Sequence, residues 1–150
     1  MKETDSLFIK KLPHFYSFAF VLIPDDLQAT QLVVDSISQY LIVNRENLAK
    51  NKNNQEKLEE CILQNIFELA LKRFSQIKLS LNFTTDHREN FYRLETEERA
   101  ALFLREVKKM NYEEIMWILN KTTGELKAIL ASARYKIFEI PESRELIVDG

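Results

Sequence analysis

From residue 14 onward, apolar positions return every three or four residues, the spacing of helices and not of strands. Residues 2–12 form an amphipathic lead-in, with Leu7, Phe8 and Leu12 on one side. Pro13 fits the first turn of a following helix, where its missing N–H costs nothing. That helix, residues 14–23, carries Phe15, Phe18, Ala19 and Leu22 as its core stripe, and Pro24-Asp25-Asp26 ends it and caps the next. A third segment, residues 27–43, has a predicted buried side of Leu27, Thr30, Val33, Val34, Ile37, Tyr40 and Leu41. Its polar side is Gln28, Gln31, Asp35, Ser38 and Gln39. Residues 44–57 are rich in Asn and Lys and read as a solvated loop. Residues 58–77 then return to helical period, with Leu58, Ile62, Ile66 and Leu69 in one stripe, ending in Arg73 or Ile77. Cys61, Phe67, Ala70, Leu71 and Phe74 widen that stripe, so this helix has to be covered on two sides or meet a partner.

The period is lost over residues 78–93, where Asn82, Thr84, Thr85, Asp86 and Asn90 are turn and cap formers. Thr96 is placed to cap the next helix, with Glu97 and Glu98 in its first turn and Lys108-Lys109 at its end. Residues 111–138 read as two short helices around a tight turn. Asn111 with Glu114, and Thr122 with Glu125, are two capping boxes. Ile115, Ile118 and Leu119 form the apolar face of the first helix, and Asn120 tolerates the left-handed backbone that ends it. Leu126, Leu130, Ala133 and Ile137 form the buried stripe of the second, where small Ala133 admits a close neighbour. This pattern fits a helix-turn-helix, whose second helix lies in the DNA major groove, and equally an ordinary helical hairpin.

With 150 residues, two glycines, three prolines and 45% apolar residues, the composition fits an all-α protein of one domain or two small ones. No apolar run reaches the ~18 residues that span a bilayer. Residues 15–23 follow Lys10-Lys11 and lack a small-residue cleavage site, so they read as a buried helix, not a signal peptide. The lone Cys61 fits a reducing cytoplasm and an inert core thiol. A net charge of −2 restricts nucleic-acid contact to a local patch. His14 and His87 lie far apart without partners at metal spacing, and Glu59-Glu60 and Glu113-Glu114 diverge on their helices. With no phosphate loop, Cys-x-x-Cys or nucleophile triad, neither catalysis, metal nor cofactor is expected. Trp117 falls at core or half-buried spacing beside Tyr112 and Ile118.

Three stretches carry a resemblance: LETEERAALFLREV at residues 94–107, NYEEIMWIL at 111–119 and TTGELKAILASARYKI at 122–137. Together they resemble the promoter-reading C-terminal domain of bacterial extracytoplasmic-function sigma factors. LPHFYSFAFVLIPDDLQAT at residues 12–30 and CILQNIFELALKRF at 61–74 are similar, more weakly, to that family's polymerase-binding and strand-opening helices. The resemblance implies two small helical domains joined by a linker. Residues 1–79 would bind core RNA polymerase, 80–93 would link, 94–140 would be the DNA-binding helix-turn-helix and 141–150 a tail. It implies a cytoplasmic transcription protein whose partners are core RNA polymerase, promoter DNA and an anti-sigma protein.

By the same resemblance, Gln31, Asp35, Ser38 and Gln39 would meet polymerase. Lys121, Thr122, Thr123, Lys127, Ala128, Ala131, Ser132 and Arg134 would meet DNA. Thr122 and Thr123 would bond phosphate at the helix start, and Lys127 and Arg134 would reach base edges. Lys121, Lys127, Arg134 and Lys136 stand against Glu125 alone in that stretch, a modest basic patch. The chain departs from the family at several points. Gln31 replaces an acid, and Val33-Val34 replaces Val-Gln. Cys61 stands for Trp, and Phe67-Glu68 for Arg-Asn. In the last helix Ala128-Ile129 stands for Ser-Arg, and Ser132 for Arg. These replacements motivate alternatives: a sigma-like interaction protein without promoter opening, or a one-hairpin regulator whose first half dimerises or binds a partner.

Overall fold

Pro13 does not begin a helix. In the computed structural model, which describes residues 3–43, 55–74 and 87–138, it lies inside one continuous helix, α1 (Glu3–Leu22). An interior proline deprives the carbonyl four residues back of its donor and crowds it. Burial on both sides of the proline overrides that cost. Phe8 and Phe15, seven residues apart, sit in the core together with Phe18, Ala19 and Leu22. The ring of Pro13 itself points to solvent.

Asp25 caps α2 (Asp26–Val43), accepting the Gln28 N–H at 2.8 Å, as Pro24-Asp25-Asp26 predicted. The buried side of α2 matches the predicted one at Val33 and Tyr40 and differs elsewhere. Ala29, Leu32, Val33, Ser36 and Tyr40 face inward. Leu27, Val34 and Leu41 are 75, 50 and 39% exposed, and Thr30 is exposed as well. The helix carries two apolar stripes, and the one bearing small Ala29 and Ser36 lets α2 lie close to α1 and α3.

The third helix, α3 (Gln55–Phe74), takes up the last residues of the predicted polar loop; residues 44–54 lie outside the described ones. Leu58, Ile62, Leu63, Ile66, Phe67 and Ala70 are buried, against α1 and α2 on one side and α6 on the other. Cys61 is half-buried, and burial raises its thiol pKa. Arg73, predicted in the apolar stripe, is exposed and pairs with Asp35 of α2 at 2.8 Å.

Residues 75–86, which include the first half of the predicted linker, lie outside the described ones, and residues 87–92 form a short helix, α4 (His87–Tyr92). Then come α5 (Thr96–Leu102), a π-helical turn (Phe103–Val107), α6 (Tyr112–Leu119) and α7 (Thr123–Phe138). The N-cap of α5 is Glu95 and not Thr96, and its N–H donates to Glu98 at 2.8 Å. In the π turn the Lys108 N–H reaches back five residues to Phe103 at 3.1 Å. Residues 139–150, including Pro141 and the predicted tail, lie outside the described ones.

The described residues are all-α, in two groups of helices: α1, α2 and α3, then α4 to α7. Their apolar sides merge into one core that runs from Phe8 to Leu130. The groups meet where α3 packs on α6 and α1 on α5. Phe18 of α1 stacks on Phe103 of the π turn, with ring centroids 6.1 Å apart.

Pro13→Ala is expected to restore an intrahelical bond and raise unfolding free energy by up to ~3 kcal/mol. Urea titration with circular dichroism measures it, and a destabilised variant would contradict an uninterrupted α1.

Candidate nucleic-acid and protein interfaces

Two capping boxes and one left-handed residue set α6, α7 and the turn between them. Asn111 Oδ1 accepts the Glu114 N–H at 2.8 Å, and Glu114 accepts the Asn111 N–H at 3.3 Å. Asn120 takes the left-handed conformation, φ 55° and ψ 54°. Behind it the Lys121 N–H reaches back to Met116 at 2.9 Å, closing the end of α6. Thr122 Oγ1 accepts the Glu125 N–H at 3.1 Å, and Glu125 accepts the Thr122 N–H at 3.0 Å. Hydrogen bonding from the Thr122 N–H, and then from its side chain, holds the Glu125 carboxyl below its ordinary range. Ile115, Ile118 and Leu119 of α6 and Leu126, Leu130 and Ala133 of α7 are buried as predicted; Ile137 is half-buried.

α7 packs on α5 and leaves an outward stripe of Gly124, Lys127, Ala128, Ala131, Tyr135 and Phe138. Five of these six carry no charge. Lys127, Ala128 and Ala131 of the predicted residues lie in this stripe, and Thr123 is exposed at the start of α7. Thr123 turns its hydroxyl back to Met116 Sδ at 3.4 Å.

The remaining cations are occupied. Lys121 pairs with Glu97 at 3.2 Å, Arg134 with Glu106 at 2.7 Å and Lys136 with Glu98 at 2.9 Å. Ser132 Oγ donates to the second oxygen of Glu98 at 2.6 Å. Lys127 alone among the four has no ion pair to another described residue. Burial pushes the Glu98 carboxyl up, but hydrogen bonds from Ser132, Lys136 and the Glu95 N–H together hold it below the usual range. The hydrogen bond from Arg134 lowers Glu106 and raises Arg134 in turn. These acids lie 24 to 38 residues from their partners and formed no part of the predicted site; the acidic first turn at Glu97-Glu98 was the only signal of them.

Beside α7 lies a cleft of about 450 Å³, lined by Leu71 of α3, Glu95 to Glu98, and Ala128, Ile129 and Ser132. Its carboxylates disfavour phosphate. Trp117 is 43% exposed and lies outside the core, not in the core or half-buried position its spacing suggested, because Ile115, Ile118 and Leu119 take the inward face of α6.

The other predicted interface lies on α2. Gln31, Ser38 and Gln39 are exposed, and Gln31 Nε2 donates to Asp35 at 2.8 Å. That bond and the one from Arg73 lower the Asp35 carboxyl pKa, so its charge is already committed within the first group of helices. Gln31 and Ser38 lie in line with exposed Leu27, Val34 and Leu41, which makes this face more apolar than the sequence pattern implied. Among the described residues no group of three His, Cys, Asp or Glu is arranged to hold a metal, and no helix is long and apolar enough to cross a membrane.

No family model matches the chain, and no curated protein matches it. Among solved structures, the chain is similar to the sigma factor RpoE from Bartonella quintana, solved in complex with the anti-sigma factor NepR. The TM-score is 0.66 at 18% identity, over 93% of this chain and 96% of that one. At this identity the likeness is one of fold.

Two outcomes test the local geometry. Thr122→Ala is expected to cost about 1 kcal/mol of stability, by urea titration. Because its folded pKa is depressed, Glu98 stabilises the fold above the ordinary glutamate range, and that share is lost as pH falls through the folded value. Glu98→Gln should therefore be less stable at neutral pH, by about 1–3 kcal/mol, and show a shallower loss on acidification. An unchanged acid limb would argue against the Ser132 and Lys136 bonds.

Proposed function

We propose that the chain is a sigma-factor-like transcription initiation protein. In this reading the first group of helices holds core RNA polymerase, and α7 reads an upstream promoter element. The observation that carries it is the doubly capped helix-turn-helix, which stands in a two-part helical fold similar to that of a sigma factor. The functional units are then residues 1–79 and 94–140, joined by 80–93, in a cytoplasmic protein with core polymerase, promoter DNA and an anti-sigma protein as partners.

On α7, Lys127 would neutralise a phosphate or reach a base edge, and Ala128 and Ala131 would lie against the groove. Thr122 and Thr123 start the helix, where backbone N–H groups favour phosphate. Arg134, Lys121 and Ser132 contribute only after leaving their glutamates. On α2, Gln31, Ser38 and Gln39, flanked by the exposed leucines and valine, form the polymerase face. Asp35 orders it through Gln31 and Arg73.

The pairing of three cations with acids favours a second reading: a sigma-like interaction protein that binds polymerase or a regulatory protein without opening promoters.

Co-migration of the purified chain with core RNA polymerase on a sizing column tests the first reading. Binding is expected at micromolar concentration, weakened severalfold by Val34→Asp on the α2 face; free migration would sink direct recruitment. Salt titration of duplex binding separates the two readings. Each phosphate neutralised contributes about −0.9 to the slope of log affinity against log salt. Lys127 acting alone gives a slope near −1, whereas all four cations acting together give roughly −4. Glu106→Gln frees Arg134 and should steepen the slope by about one. A flat slope in both proteins favours the interaction reading.

A further inference from the structure

Lys108 and His14 meet where neither has an ion pair to another described residue. Lys108 Nζ donates to His14 Nδ1 at 2.5 Å, joining the end of the π turn to α1. An ammonium has only donors, so Nδ1 accepts and the ring proton sits on Nε2. His14 is exposed, and that N–H is free to donate outward. Two of the three Lys108 donors remain as well. Glu59 of α3 is the acid whose charge is felt at Lys108, but Lys11 of α1 already holds it at 3.2 Å. Burial lowers the Lys108 pKa, the mark of a cation short of compensating partners. The Phe103 ring, 5.9 Å from its Nζ, adds only a weak attraction.

Two more lysines flank this pair. Lys10 is exposed one turn before His14, and Lys109 is exposed next to Lys108. Lys109 has φ 58°, in the left-handed region where a side chain costs strain that glycine avoids. Nothing in the local backbone calls for lysine there. The Lys108 and Met110 N–H groups close the π turn onto Phe103 and Leu104 at 3.1 and 3.0 Å, as they would around a glycine. Those two donors are spent, so recognition falls to the side chains. Four lysines and an imidazole thus gather beside Glu59, on a chain whose net charge is −2. A carboxylate would bring one charge to them; a phosphate group brings up to two, with three acceptor oxygens.

We propose that Lys11, His14, Lys108 and Lys109 form a binding site for a phosphate group. The group belongs either to a small free phosphate or to a nucleic-acid backbone. The site does not rest on the function proposed above.

Calorimetric titration of the full chain with sodium pyrophosphate at low salt is the test. Saturable binding is expected. Lys108→Gln should weaken it roughly tenfold, the worth of one charge-assisted hydrogen bond. Lys72→Gln, which removes an exposed lysine of α3, should leave it unchanged. Glu59→Gln frees Lys11 and should tighten it. Lys109→Gly should leave stability to urea equal or higher while weakening pyrophosphate severalfold, a pairing that a purely structural lysine would not give. Should Lys108→Gln lose its helical circular dichroism, Lys11→Gln combined with His14→Ala replaces it. Salt titration of duplex binding then identifies the source of the phosphate. A slope shallower by about 0.9 in Lys108→Gln assigns a nucleic-acid phosphate to the site. Pyrophosphate binding with an unchanged slope assigns a free phosphate. No saturable pyrophosphate binding together with an unchanged slope overturns the site, and so do equal effects of Lys72→Gln and Lys108→Gln. A parent chain that binds no duplex counts against the DNA reading, and the pyrophosphate titration then decides the site by itself.

Discussion

A buried guanidinium bonded only to carbonyls sets the terms for the rest of this structure. Dehydrating a cation costs several kcal/mol even after relaxation. Arg99 offsets this with three charge-assisted bonds, two of them to the negative end of α1. That choice fixes where α1 ends relative to α5. It thereby fixes Phe18 against Phe103, and, through Asp25 at the head of α2, the orientation of the first three helices. Apolar packing alone is tolerant of sliding, because one methyl replaces another with little penalty. A forked donor that must meet two adjacent carbonyls is not.

The α6–α7 hairpin shows a second economy, in which the same cations serve stability and the proposed binding. Glu97, Glu98 and Glu106 each hold one basic residue of the α7 region, but they do not hold them equally. The Glu98 side chain is 7% exposed and also accepts from Ser132, so Lys136 would leave behind a buried, under-bonded carboxylate. Glu106 is 48% exposed, and water can replace Arg134 there with small loss. The cations are therefore ordered by availability: Lys127 first, Arg134 next, Lys136 last. Net charge, or a count of Lys and Arg along α7, does not contain this order.

Capping was the most legible part of the sequence. Asn111, Asn120, Thr122, Glu114 and Glu125 act on neighbours within four residues, so their chemistry is written locally and their geometry follows. The buried stripes of α6 and α7 were legible because Ile115, Ile118, Leu119, Leu126 and Leu130 are the large aliphatic residues at helical spacing there. α2 was not, because it has two, and the choice between them lay with the close approach permitted by Ala29 and Ser36. Pro13 misled because its local penalty is real, yet Phe8 and Phe15 outweigh it from either side. Beyond reach altogether were the pairs that join distant segments: Arg99 with Val21 and Leu22, and Arg134 with Glu106. At the level of pattern, Arg99 was one more charge in an acidic first turn.

The outward stripe of α7 bears on how such a protein would work under the proposed function. Ala128 and Ala131 let a helix lie deep in a groove, and an alanine methyl suits the methyl of thymine, but neither supplies the phosphate attraction that dominates duplex affinity. Lys127, without an ion pair to the other described residues, is a weak reader on its own. A weak reader becomes adequate when another part of the chain is already held at the promoter, because tethering replaces a bimolecular encounter by a local concentration near millimolar. Under that reading, the proposed polymerase face on α2 and the sparse charge of α7 would be two sides of one arrangement. The first group of helices would supply residence, and the second would have only to discriminate. A chain built this way would bind free DNA poorly without being defective, and the merging of its two cores would keep the reader folded while it waits.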